Sequence, residues 1–181
     1  MSYQSNQASG SFTVESASLS ISVSPATSGS PSNYWLPGEQ LKVTVSDSIS
    51  EVVDIYMNIV SGSTVLASNV FLGSVNSNGG STASTTITIP WQVSQGSTTY
   101  SVPGYTAQIY AVGQSTGITS NSVNNSVLFP TKITLSISPN PVYIGQTITF
   151  SGSLEFEYPA NTWNPLANQN ISLQVTNNTT N

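Results

Sequence analysis

The chain starts the same β-type opening twice, and this limits it to modular architectures. Leu19-Ser20-Ile21-Ser22-Val23-Ser24-Pro25 is followed by Gly38-Glu39-Gln40-Leu41-Lys42-Val43. Leu135-Ser136-Ile137-Ser138-Pro139 is then followed by Gly145-Gln146-Thr147-Ile148-Thr149-Phe150. The first opening has a full unit's length of chain behind it, whereas the second has only the residues up to Asn181. That remainder is too short for an equivalent second unit. A small sheet with one apolar face does not stand alone in water, so the late segment is expected to be covered by something else. This points to a building block of an assembly.

Between the two openings the apolar residues alternate with polar ones. Leu41, Val43 and Val45 form one face, and Val53, Ile55, Met57 and Ile59 another. Leu66, Val70 and Leu72 follow the Ser61-Gly62-Ser63 turn, and Ala83, Thr85, Ile87 and Ile89 follow the Gly-rich turn at Asn76 to Ser81. Pro90-Trp91 ends that strand. Tyr105, Ala107, Ile109 and Ala111 come next, then Val123, Val127 and Phe129. A period of two between turn signals, with no helical period, predicts an all-β chain. The expected architecture is an immunoglobulin-like β-sandwich over 17–130, followed by a second, incomplete β-sandwich unit over 132–181. Ile133, Leu135, Ile137, Ile148, Phe150, Leu154 and Phe156 supply the second unit, with a last strand at Ile171, Leu173 and Val175. The Pro130-Thr131 linker is short enough to restrict rotation between the units.

Residues 1–16 form a polar tail carrying one short alternation, Phe12 and Val14. The apolar positions then move to odd numbers at Ala17, Leu19, Ile21 and Val23. One continuous strand cannot hold both sets on one face. Either a bulge near Ser16 reconciles them, or two strands serve two bodies and the first completes a neighbour. Phe12, Val14, Leu19, Ile21 and Val23 are the candidate donor-strand residues. Ile148, Phe150, Ile171, Leu173 and Val175 are the candidate acceptor face.

Charge is nearly absent. Charged residues make up 5% of the 181, with 2 Lys, 7 acids, no His and no Cys, against about a quarter in ordinary soluble domains. Hydration must come from Ser, Thr, Asn and Gln, which do not titrate. That suits an acidic exterior, where carboxylates lose their charge; a secreted glycoprotein of a neutral habitat is the alternative. Both readings place the protein outside the cell. A net charge of −5 without basic clusters argues against a nucleic-acid partner. No apolar stretch is long enough to span a membrane. The polar start from Met1 to Asn6 carries no export signal, so the signal was removed or the protein is released without one, as a virion component would be.

Chemistry-bearing constellations are sparse. Without His or Cys the common general base, the thiol nucleophile and most metal sites are missing, so no enzyme activity and no cofactor are expected. Asp47, Glu51 and Asp54 cluster near a turn as a Ca²⁺ loop would, but no D-x-D-x-D-G order is present and they read as turn acids. Glu155 and Glu157 share a strand face, as a glycosidase pair could, and read as solvent-facing residues opposite Leu154 and Phe156. Trp35, Trp91 and Trp163, with Tyr34, Tyr100 and Tyr158, adjoin loops, where they either stack on sugars or seal the ends of a sandwich. Lys132 is a candidate for a Lys–Asn amide crosslink, whereas Lys42 lies opposite Leu41 and Val43 and is expected to be exposed. N-x-[ST] sites at Asn124, Asn170, Asn177 and Asn178 are candidate N-linked glycan sites.

The repeated L-S-I-S-x-P and G-[EQ]-x-[LI]-x-[VF] openings resemble immunoglobulin-like modules of archaeal cell-surface proteins. The near absence of charge resembles extracellular filament and surface-layer proteins of thermoacidophilic archaea. The resemblance implies a structural subunit of a filament or surface layer whose copies, or other surface proteins, are linked by donor-strand complementation. A virion spike or turret module, or a carbohydrate-binding adhesive module, are the alternatives.

Overall fold

The computed structural model describes residues 16–27 and 33–174. Phe12, Val14, Val175, Asn177 and Asn178 lie outside the described residues. The β-branched alternations become strands because their side chains pack well on a pleated surface. Strands β1 (Leu19–Pro25), β2 (Gln40–Asp47), β3 (Val52–Ser61), β4 (Thr64–Asn76) and β5 (Ser81–Thr88) come first in the chain. They are followed by β6 (Gln92–Gln95), β7 (Thr98–Ser101), β8 (Thr106–Gly113) and β9 (Val123–Ser126). One antiparallel sheet has the order β1-β2-β5, another the order β4-β3-β8-β9, and β6 and β7 form a hairpin. The chain is all-β among the described residues, arranged as several separate sheets.

The two larger sheets share one core. Leu41, Val43 and Val45 on β2, Val53, Ile55, Met57 and Ile59 on β3, and Ala107, Ile109 and Ala111 on β8 are all fully buried. Each of the larger side chains contributes about 1.5–3 kcal/mol by leaving water. β1 belongs to this core. It pairs with β2 in the register Ile21↔Val45 and Val23↔Val43, and Leu19 and Ile21 are buried. Asn121 fastens it, donating through Nδ2 to Ile21 O (3.1 Å) and accepting from Ile21 N (2.9 Å). The expectation that Leu19, Ile21 and Val23 are donated to a neighbour is therefore corrected. Their side chains already fill the chain's own core, and their backbone already pairs with β2.

β4 departs from the simple alternation. The sequence placed Leu66, Val70 and Leu72 on the buried face; they pack against the core but only half-buried, and Ala67 is the fully buried residue there. Register shifts between Ile55 and Tyr56, Met57 and Ile59, and Ile59 and Val60 change which side chains face inward. Gln92–Ser101 was not expected to form strands, because only Val93 there carries an aliphatic signal; it forms the β6–β7 hairpin.

Hydroxyls replace charges as cross-strand partners. Thr44 Oγ1 and Ser84 Oγ lie 3.1 Å apart, Ser94 Oγ and Thr99 Oγ1 3.1 Å, and Thr134 Oγ1 and Ser153 Oγ 2.9 Å. Such pairs add a few tenths of a kcal/mol to about 1 kcal/mol each without any ionisation.

The C-terminal strands are β10 (Thr131–Ile133), β11 (Ser136–Ser138), β12 (Thr149–Ser151), β13 (Leu154–Glu157) and β14 (Trp163–Pro165). They form a β10-β13-β14 sheet and a separate β11-β12 pair. The sequence reading ran Ile148 to Phe156 as one strand, but the chain changes sheet at Gly152. A Cβ at Gly152 would overlap the Thr134 carbonyl oxygen, so the crossing requires glycine. Phe129 makes the joint to the first core. Its ring meets Phe156 edge-on at 5.5 Å and Tyr158 at 5.8 Å, and Gln92 Nε2 donates to the Tyr158 hydroxyl (2.9 Å).

Candidate functional site

Many of the exposed large apolar side chains among the described residues lie on the C-terminal segment. Among the described residues the core of the first two sheets includes none after Val127, while Ile133, Leu135, Ile137, Ile148, Phe150, Ile171 and Leu173 are exposed. In the β11–β12 pair Ile137 stands opposite Phe150. Leu135, Ile137, Val142, Ile148, Phe150 and Leu173 line one groove of about 380 Å³. Among the described residues β11 and β12 pair only with each other, so each offers a row of backbone N–H and C=O groups along its outer edge.

Of the expected acceptor residues, Ile148, Phe150 and Leu173 meet in this groove. Ile171 is exposed but does not line it, and Val175 lies outside the described residues. The last strand expected at Ile171 is absent among the described residues, since 171–174 take no strand conformation. Leu173 reaches the groove from irregular chain. Leu135, Ile137 and Val142 complete it and were not singled out as acceptors, although the first two share the period of Ile148 and Phe150.

The clustered acids each serve a different partner. Asp47 is buried, accepting from Ile49 N and from Ser77 Oγ at 2.9 Å each. Asp54 accepts from Gln114 Nε2 at 3.0 and 3.1 Å. Glu51 is clasped by the turn after β8. Ser115 N (2.7 Å), Ser115 Oγ (2.6 Å), Thr116 N (3.0 Å) and Thr116 Oγ1 (2.6 Å) all donate to its carboxylate. Among the described residues no three acidic side chains converge as metal ligands.

Gly113 permits the Glu51 clasp, because a Cβ there would overlap Glu51 Oε1. Burial works against the ionised carboxylate, but the four hydrogen bonds outweigh it and lower its pKa to about 2 from 4.5. A depressed pKa stabilises the fold above the unfolded value and loses that contribution as pH falls through the folded one. The clasp is therefore fully effective above about pH 4.5 and fails on descent through about pH 2. Glu51→Gln is expected to lower stability by about 1 kcal/mol near pH 5, the low end for bonds to an ionised group at a wet site. The deficit should vanish below pH 2, as read from thermal unfolding of both proteins across that range.

The aromatic residues divide by burial. Trp35 is only 2% exposed and belongs to the core, which fits the reading of an aromatic that seals the sandwich and not that of a sugar platform. Trp91, Tyr34 and Tyr100 are half-buried, and Tyr158 belongs to the Phe129 joint. Trp163 is exposed, with Lys132 Nζ 4.1 Å from its ring centroid and the same ammonium 2.9 Å from Glu155. Those two contacts engage the one lysine considered for an amide crosslink. Lys42 is exposed, as its parity required. Glu157 accepts from Asn161 N (2.6 Å). Of the glycan sites, Asn124 is exposed on β9 and Asn170 is exposed in irregular chain. Among the described residues no helix is long and apolar enough to cross a membrane.

Compared with known proteins, the chain matches no family model and no curated sequence.

Proposed function

We propose that this chain is a structural, non-catalytic subunit of an extracellular assembly, an archaeal filament or surface layer, whose copies join by β-strand complementation. The exposed apolar groove between Leu135 and Leu173 carries the proposal, because bare aliphatic surface flanked by unpaired strand edges fits an added strand. The donor is the N-terminal segment of another copy. Phe12 and Val14 remain for that role, since Leu19, Ile21 and Val23 fill their own core. Main-chain hydrogen bonds to β11 or β12 give affinity, and alternate side chains entering the groove give register. Head-to-tail contacts of this kind propagate into a fibre when they do not close into a ring.

The strand orders β1-β2-β5 and β4-β3-β8-β9 around one core support an immunoglobulin-like sandwich as the body of the subunit. The near absence of charge supports the extracellular location. Deletion of residues 1–16 is expected to leave a folded monomer, because β1 begins at Leu19, and to abolish polymers seen by electron microscopy. Assembly that survives the deletion unchanged would refute the proposal.

A further inference from the structure

We propose that the outer face of the β4-β3-β8-β9 sheet is a saccharide platform, and that it holds a neutral sugar chain carried on Asn124 of the same molecule. Alternation puts Tyr56 on β3 and Tyr110 on β8 opposite each other on this face. Their rings stack at 5.9 Å with 26° between planes, and Phe71, itself 59% exposed, meets Tyr56 edge-on at 5.8 Å. Stacked rings beside amides are how proteins hold pyranose faces, with apolar C–H groups against the ring and hydroxyls on the polar neighbours.

The neighbours here are amides. Asn58 Nδ2 donates to Gln108 Oε1 (3.1 Å), and Tyr110 donates to Asn69 Oδ1. Asn69 sits at φ 56° within a β-strand, a conformation that costs energy outside glycine, and accepts this geometry next to the bulged register of β3 and β4. Its own N–H donates to Asn58 Oδ1 (3.0 Å). Backbone irregularity is thus concentrated where it aims an amide at the rings.

The occupant follows from charge and register. Asp54 is the acid on this face, and both lysines lie on other sheets, Lys42 on β2 and Lys132 on β10. A phosphate or an acidic polymer would find no cation here, whereas an uncharged polyol matches the amides and phenols. Asn124, of the Asn124-Asn125-Ser126 site, stands opposite Gln108 on β9. It is two strands from Tyr56, a lateral distance of about 10 Å. Beside Gln108, the partner of Asn124, and Tyr110, the partner of Tyr56, lies a polar hollow of about 290 Å³ that Asn58, Thr119, Ser120 and Ser122 also line. A chain of a few sugars leaving Asn124 would cross this hollow onto the rings. The Tyr56 hydroxyl donates to Asp54 Oδ2 (3.4 Å), and burial together with that carboxylate pushes its pKa up, so it stays protonated on this face.

The inference rests on the extracellular reading, since glycosylation of this kind accompanies export, but its test does not read assembly. Protein exported from its native host is compared with the Asn124→Gln and Ser126→Ala variants, which remove the site in two ways. Peptide mass spectrometry reads glycan occupancy at Asn124 and tetranitromethane nitration of Tyr56 and Tyr110. Occupancy at Asn124 is expected, with nitration rising about two- to tenfold in both variants, the protection one aromatic contact gives. Nitration of the remote, exposed Tyr143 should stay constant. An unmodified Asn124, or equal nitration with and without the glycan, would overturn the proposal. Protection of the unglycosylated tyrosines by added maltotriose, with Asn124 unmodified in native protein, would overturn it in favour of an external saccharide.

Discussion

Trp35→Ala should lower the free energy of unfolding by about 3–5 kcal/mol, the range for removing a buried indole. Trp35 lies in the connection between β1 and β2, far in sequence from the strand it touches. Its N–H donates to Ser126 O (2.9 Å), its carbonyl accepts from Leu128 N (3.0 Å), and it bridges in parallel to Val127. The indole therefore packs from a loop into the space between the sheets. Removing it leaves a large void that β-branched neighbours, with one preferred rotamer each, fill poorly. Urea titration followed by Tyr and Trp fluorescence measures the loss as a lower midpoint at unchanged slope. A change within 0.5 kcal/mol, the ordinary range for a surface substitution, would mean that Trp35 is not part of the core.

Phe150→Asp tests the groove with the opposite signature. Phe150 is 39% exposed on β12 and outside the first core, so the first two sheets should keep their stability. An inserted strand would have to bury the new carboxylate without a partner, at a cost of about 3–5 kcal/mol. The critical concentration for assembly should rise by about 10²- to 10⁴-fold, measured by sedimentation of polymer from soluble subunit. Assembly at the parent concentration would remove the groove from the interface.

The central strands were legible because one face of each is buried and the other is wet. Val43 and Val45, Ile55 and Met57, and Ala107 and Ile109 show that period in the sequence and are fully buried in the structure. The period fails where the backbone, rather than the side chains, decides. Extra residues in β4 at three register shifts against β3 bring Ala67 fully inward while Leu66 stays half-buried against the core, and nothing in their hydrophobicity signals it. The sheet change at Gly152 was equally hidden, since glycine reads as a turn, a bulge or a close approach with the same letter. Residues of the β6–β7 hairpin are too polar to announce strands, and they pair through backbone that any sequence carries.

The candidate sites were legible to different degrees. The bare face at Ile148 and Phe150 follows from counting apolar positions that have nothing to pack on. The tyrosine face did not, because Tyr56 and Tyr110 occupy the wet parity of their strands and meet only through the β3–β8 register. Trp35 was legible as one of two readings, a sugar platform or a seal of the sandwich, and its burial and bridge to Val127 match the second.

The hydroxyl pairs between neighbouring strands set how such a material would respond to its surroundings. Attraction between opposite charges fades in brine and disappears when carboxylates take up protons, but a threonine–serine contact does neither. A lattice knit from these subunits would keep its stiffness from dilute water to concentrated electrolyte, and through most of the acid range. Loosening it would take agents that compete for backbone and oil, such as urea or detergent.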